Sequence, residues 1–338
     1  MPTNSKFRRE PLDKAVADVR LAVRQSLAGS VREGEAVLVA LSGGPDSLAL
    51  AAATAFEAPK QGIRAGAVIV DHGLQDGSAD VAARAAHQAR ALALEPVMVI
   101  RVGVDGRGGP EAAARTARYA AFDSALTDTG ASALLLGHTL DDQAETVLLG
   151  LARGSGSGSL MGMAPVSGRY LRPLLGVRRA ATHDACAAEG LEPWTDPHNS
   201  DPSYTRVRVR QNVLPVLETE LGPGIAEALA RTAEQLREDT EAFDAMIDEF
   251  IEEICEPAEA GIAVSVSALA ANPPALRHRI IRMVAASEFG QSLSRSHTLA
   301  IAALVTDWKG QGPIDVPGFT VTRNGGRLEF SARQPTVG

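Results

Sequence analysis

Ser42-Gly43-Gly44-Pro45-Asp46-Ser47 lies between two charge-free apolar runs, residues 36–41 before it and 48–53 after it. That order reads as a buried strand, a glycine-rich turn and a helix, which commits this part of the chain to an α/β fold. A turn of this kind aims backbone N–H groups and a helix N-terminus at one spot, a geometry that suits phosphate. The Walker pattern adds a Lys-Ser/Thr pair after its last glycine. No such pair follows here, and the chain has only four lysines. The loop is therefore expected to grip a pyrophosphate without the lysine that serves γ-phosphoryl transfer. An ordinary βα turn is the plain alternative. A bare Gly-Gly would leave it standing, whereas the full motif in strand–turn–helix context favours the anion.

The rest of the first half repeats the alternation. Strands are expected at 37–41, 67–70, 97–102 and 133–136, short and apolar on both faces, as in a parallel sheet covered on both sides. Helices are expected at 12–27, 46–56, 79–93, 110–126 and 141–151, with Pro110 at a helix start where its missing N–H costs nothing. The tract 154–159, alternating Gly and Ser, reads as a flexible linker or as a loop beside a site. Residues 194–203 read as turns. From Ile225 onward Leu229, Ala233, Leu236, Phe243, Ile247, Phe250 and Ile254 recur at mostly three- and four-residue steps, giving a long amphipathic helix broken once. Asn324-Gly325-Gly326 between apolar runs signals a hairpin. A domain boundary is placed near Leu217, giving 1–217 and 218–338.

The 338 residues, 45% of them apolar, suffice for two packed domains. The polar start and the lack of an apolar run near 18 residues point to a soluble, cytoplasmic chain with no membrane partner. Cys186 and Cys255 are the only cysteines, so zinc ribbons, iron–sulfur sites and disulfide frameworks are not expected. The net charge of −8 is unevenly spread: nine acids fall within 238–256, whereas 169–182, 203–217 and 273–287 carry arginines without acids. Such patches suit a polyanion, or are simply solvated helix faces.

In a parallel sheet, ligands bind beyond the carboxyl ends of the strands. Asp71 and His72 follow the second strand, and Gly137 and His138 the fourth. Asp141, Asp142 and Glu145 open the next helix, where acids also favour the dipole. Asp46 emerges at the same edge, so Asp46 and Asp142 could hold Mg²⁺ through oxygen ligands.

Ser-Gly-Gly-x-Asp-Ser resembles the loop of the ATP pyrophosphatases. Within that group the chain resembles the tRNA(Ile)-lysidine synthetases. The matching segments run in order: Ser42 to Ser47, Val70-Asp71-His72-Gly73-Leu74, 110–119, Gly137-His138 with Asp141 to Thr146, 153–156, Arg172-Pro173-Leu174-Leu175, Trp194-Thr195-Asp196, Asn199 and Tyr204-Thr205-Arg206. The likeness covers about residues 34–217 well and the remainder loosely. The chain departs from the pattern at Thr139, where the family usually has His, at Ser159, usually Gly, and at Val207, usually Asn. Long members also carry a further C-terminal domain, and this chain is expected to stop short of it.

The resemblance implies an adenine-nucleotide alpha-hydrolase-like, doubly wound, mostly parallel sheet with a second, mainly helical domain. It implies that ATP adenylates the C2 oxygen of the wobble cytidine in an isoleucine tRNA with a CAU anticodon, and that the ε-amine of free L-lysine then displaces AMP. Ser42, Gly43, Gly44, Asp46, Ser47, Asp71, His72, Gly137 and His138 would line the nucleotide. Asp46 and Asp142 would hold Mg²⁺, Arg115 and Arg118 would supply positive charge, and Arg172, Arg206, Arg208 and Arg210 would meet tRNA. Lysine must lose a proton to attack, and either His138 or Glu145 could take it. His72 could equally be structural. A different ATP pyrophosphatase, such as a thiolase or an amidotransferase synthetase, is the enzymatic alternative. A non-catalytic nucleotide-binding module is the other.

Overall fold

The computed structural model describes residues 12–73, 77–103, 110–154, 157–258 and 261–333. Leu74, Ser155 and Gly156, which belong to the motifs above, lie outside the described residues. The chain divides into two compact units, 1–236 and 237–338, each with its own core.

The first unit opens with α1 (Lys14–Ser30), whose N-terminus is capped by Asp13 accepting from the Ala15 N–H at 2.8 Å. There follow β1 (Ala36–Ala40), α2 (Pro45–Glu57), β2 (Arg64–Asp71), α3 (Ser78–Ala91), β3 (Val97–Arg101), α4 (Pro110–Thr129), β4 (Ala133–Leu135) and α5 (Leu140–Ala152). The strand order β3-β2-β1-β4 is parallel throughout. All the strands and helices expected in this half are present, with ends shifted by a few residues.

β1 shows why the order is stable. Val37 and Val39 enter the core formed with α1, α2 and α3, while Leu38, between them, enters the core under α4. All three are essentially unexposed, so a strand with a two-residue side-chain period is buried on both faces and must sit centrally.

Beyond α5 come α6 (Ser157–Leu160), β5 (Val166–Ser167), β6 (Tyr170–Leu171), α7 (Arg179–Ala188), α8 (Thr205–Arg208), a π-helical turn (Val209–Val213) and α9 (Leu214–Glu220). β6 pairs parallel to β4 and antiparallel to β5, which extends the sheet to the order β3-β2-β1-β4-β6-β5. The second half of the Gly-Ser tract is thus not a linker: α6 is a helical turn that packs on α5. α10 (Ile225–Asp248) carries the predicted amphipathic stripe across the division between units, and the predicted break comes at Phe250 before α11 (Ile251–Ile254).

The second unit holds more sheet than the hairpin alone announces. β7 (Cys255–Ala258) and β8 (Gly261–Ser265) precede three helices, α12 (Val266–Ala271), α13 (Pro274–Phe289) and α14 (Arg295–Thr306). β9 (Ile314–Val316) and the predicted hairpin, β10 (Phe319–Asn324) with β11 (Arg327–Ala332), complete a five-stranded sheet in the order β7-β8-β11-β10-β9. Phe319 and Phe330 are fully buried in it, and Phe289 stacks on Phe319 at 4.4 Å. At its rim Arg323 lies over the half-exposed Trp308 ring at 5.2 Å.

Candidate active site

The loop between β1 and α2 is built from its own side chains. Ser47 donates to the Gly44 carbonyl at 2.9 Å and accepts from the Ser42 N–H at 3.2 Å. Gly43 takes the left-handed conformation, φ 83°, which any side chain would strain. The α2 N-terminus has no side-chain cap, so its first amides stay open to an anion. Gly137, at the end of β4, lies so close to α2 that a Cβ there would meet the Asp46 carbonyl and the Ser47 Cα at 3.3 Å. The β4 end and the first turn of α2 therefore share one edge, as the motifs require.

α5 begins with a reciprocal cap. Thr139 donates its N–H and its hydroxyl to one Asp142 oxygen, each at 2.8 Å, and its hydroxyl oxygen accepts from the Asp142 N–H. Asp142 is thereby fixed by Thr139 from both its backbone and its side chain. Its other oxygen takes the Arg179 guanidinium at 2.7 Å.

Arg179 ties the acids together. It reaches Asp46 at 3.7 Å and Glu145 at 3.2 Å, and its backbone N–H donates to Asp141 at 2.7 Å. That last bond fills an open amide at the start of α7. Thr182, one turn on, donates its hydroxyl to Asp46, and His183 stands 4.0 Å from the same carboxylate. Glu145 is fully buried and also accepts from Arg206 at 2.8 Å and from Arg210 at 2.7 and 3.0 Å.

These surroundings push the two central acids in opposite directions. Burial raises the Asp46 carboxyl above the ordinary aspartate value, against the Thr182 hydroxyl and Arg179. Burial also works against the charge on Asp142, but Arg179, the Thr139 N–H and Arg206 outweigh it and hold the group below the usual value. Arg179 is raised: burial disfavours its charge, and Asp142, Glu145 and Asp46 more than restore it.

His138 lies between this acid cluster and a basic group. Burial lowers it to about 4, Asp142 pulls it up, and Arg172, Arg206 and Arg115 push it down. Its Nδ1 is buried without a partner. Arg118 donates to His72 at 3.2 Å, and Arg115 lies over the Tyr119 ring at 4.9 Å. Asp71 accepts from the Gly73 N–H at 2.9 Å, a local turn contact. Arg172 donates to the Ala164 carbonyl.

The segment 205–213 is helical, so its arginines diverge rather than share one face. Arg206 and Arg210, four residues apart, turn onto Glu145, whereas Arg208 points away to the Pro202 and Ser203 carbonyls. The structure thus gathers Asp46, Asp142 and Glu145 around Arg179, with Arg206 on Glu145 and Arg210 on both Glu145 and Asp142. In the sequence Arg179 belongs only to a basic patch, and Thr182 and His183 belong to no motif. The available signal was an acid cluster with no cation on its own helix.

Among the described residues no cluster of three or more His, Cys, Asp or Glu could hold a metal. Asp46 and Asp142 offer two hard oxygen donors, Asp142 buried and Asp46 partly so, with one guanidinium shared between them. Such a pair fits Mg²⁺, which binds through one or two carboxylates and takes its other ligands from water and nucleotide phosphates.

A PP-loop domain family matches residues 16–217, and a TilS substrate binding domain family matches residues 265–329. The tRNA(Ile)-lysidine synthase of Leifsonia xyli subsp. xyli is 66% identical over 88% of this chain and 90% of its own. That of Thermobifida fusca is 53% identical over 90% and 93%, and that of Streptomyces coelicolor 52% identical over 86% and 84%. Among solved structures, the U34-tRNA thiolase NcsA from Methanococcus maripaludis, described with its [4Fe-4S] cluster, superposes with a TM-score of 0.56 at 19% identity. It covers 66% of this chain and 80% of its own, a likeness of fold alone. A PP-loop match over more than half of the chain and 66% identity over 88% of it place this chain in the tRNA(Ile)-lysidine synthase family of PP-loop proteins.

Proposed function

We propose that this chain uses ATP to join L-lysine to the wobble cytidine of the isoleucine tRNA with a CAU anticodon, giving lysidine. The observation that carries it is the joint match of both domains, at high identity, to enzymes of that name. We assign 1–217 to catalysis and 218–338 to substrate binding.

The geometry supports a division of labour. The β1–α2 loop and the open α2 N-terminus receive the phosphates. Asp46 and Asp142 would hold Mg²⁺, which when bound draws charge from the α-phosphate. Arg115 and Arg118 stand on α4 as further positive charge for that oxygen-rich centre. The cytosine O2 leaves readily only once it is tied to phosphate, and the lysine amine then takes its place. Of the two candidate bases, Glu145 is enclosed by three guanidiniums. His138 is neutral near pH 7 and keeps a free ring nitrogen. It is a weak base in the nucleotide-free protein, and a polyphosphate nearby strengthens it. We therefore assign His138 the proton.

Arg206 and Arg210 are engaged by carboxylates, so the proposal for tRNA phosphates centres on Arg208, with Arg172 at the site. The test is direct. Labelled lysine is expected to enter the CAU tRNA only with ATP and Mg²⁺ present, with release of AMP and pyrophosphate, and changing the wobble cytidine to uridine is expected to abolish it. Incorporation into the uridine variant would refute the reading.

A further inference from the structure

Segment 179–194 touches the nucleotide loop at both of its flanks. At one flank Arg179 and Thr182 hold Asp46. At the other, the Trp194 N–H donates to the Gly43 carbonyl at 2.9 Å. The first contact is made by a helix, which is stiff. The second is made by residues 191–194, which leave α7 and belong to no regular element. Something has to hold that stretch in place.

Two anchors do so. The Leu191 N–H donates to the Cys186 carbonyl at 3.0 Å, which fastens the stretch to the end of α7. Farther along, the Gln88 side chain on α3 makes two bonds to the Glu192 backbone. Its Nε2 donates to the Glu192 carbonyl at 3.0 Å, and its Oε1 accepts from the Glu192 N–H at 3.0 Å. A primary amide satisfies one residue's donor and acceptor together, much as a neighbouring strand would. Two residues on, Trp194 meets Gly43. A cleft of about 470 Å³ runs alongside, lined among others by Gly43, Val81, Gln88, Trp194 and Thr195.

We propose that Gln88 is a positioning residue for the nucleotide loop, acting through Glu192 and Trp194 on the Gly43 carbonyl. Gly43 is in the left-handed region, and its peptide direction decides where the neighbouring amides point. Fixing its carbonyl on Trp194 holds those amides for the phosphates before ATP arrives. Without the Gln88 amide, the stretch from 191 to 194 is left with only its end contacts, and part of the binding energy of ATP goes into ordering it.

The inference rests on the loop binding ATP, so the wild-type protein is the first arm. Calorimetric titration with Mg·ATP, without tRNA or lysine, is expected to give saturable binding. Gln88→Ala is expected to weaken that binding, and to raise KM for ATP, by about tenfold, with kcat within twofold and KM for lysine unchanged. Gln88→Glu keeps the acceptor and loses the donor, and is expected to fall between the two. Wild-type protein that fails to bind ATP would overturn the PP-loop reading itself. Wild-type binding with an unchanged affinity in Gln88→Ala would overturn only the role of Gln88. A lowered kcat and melting temperature with unchanged ATP affinity would also overturn it, since that is the signature of a merely structural contact.

Discussion

Glu145→Gln probes the point where three segments far apart in sequence are joined by charge. The side chain is fully buried and takes Arg206, Arg210 and Arg179 at 2.7–3.2 Å. Glutamine keeps the shape, removes the charge and turns an NH₂ donor toward guanidinium donors. Breaking a buried pair costs about 3–5 kcal/mol. The arginines are 40%, 28% and 17% exposed, and Arg179 and Arg210 keep Asp142, so solvent and the second acid recover part of this. The expected loss is about 2–3 kcal/mol. For a unit of this size that lowers the thermal midpoint by roughly 4–12 °C. Thermal unfolding followed by circular dichroism, with urea titration as the equilibrium check, measures it. A loss below about 0.5 kcal/mol, the range of an ordinary surface substitution, would refute the keystone role.

Asp46→Ala is expected to abolish Mg²⁺-dependent ATP turnover while the protein stays folded, as judged by circular dichroism and a pyrophosphate assay. Asp46→Asn is expected to match or exceed wild-type stability at neutral pH, because burial and the nearby Asp142 disfavour its charge; a loss of stability would count against that account. His138 gives a pH signature: its folded value, about 4, lies below 6.5, so between the two the unfolded chain binds a proton that the folded one refuses. Stability is therefore expected to fall as pH drops from 6.5 toward 4, by up to about 1.4 kcal/mol per unit, and His138→Gln should flatten that slope in urea titrations. For tRNA, Arg208→Gln is expected to reduce the salt dependence of binding by about 0.9 if it meets a duplex phosphate, with the folded stability unchanged; Arg206→Gln should instead lower the stability.

The central sheet was legible because β1 to β4 are apolar on both faces and alternate with helices of ordinary length. β5 and β6 were not, since two residues carry no periodicity. The Gly-Ser tract reads as linker by composition, yet Ser157–Leu160 turns into a helix once it can pack on α5. In the second unit the Asn-Gly-Gly turn announced one hairpin, while β7, β8 and β9 are short and mixed in character. At the site, the acids were legible from their spacing. The destination of the arginines was not: a patch's sign says nothing about whether a guanidinium faces solvent or folds back. Arg206 and Arg210 fold back because a buried carboxylate leaves them no cheaper partner.

The chain has two tryptophans, Trp194 and Trp308. One has its backbone N–H on the Gly43 carbonyl, and the other lies under Arg323 in the second unit. Each unit therefore carries its own native fluorophore, and replacing either by phenylalanine leaves a single-colour reporter for the other. The Trp194 protein reads the nucleotide loop and the melting of the first unit. The Trp308 protein reads only the second sheet. Chains of two units often unfold in separate steps, which a single bulk signal blurs. Here the two emissions can be followed independently, so the order in which the units unfold, and which of them ATP protects, becomes measurable without attaching a dye.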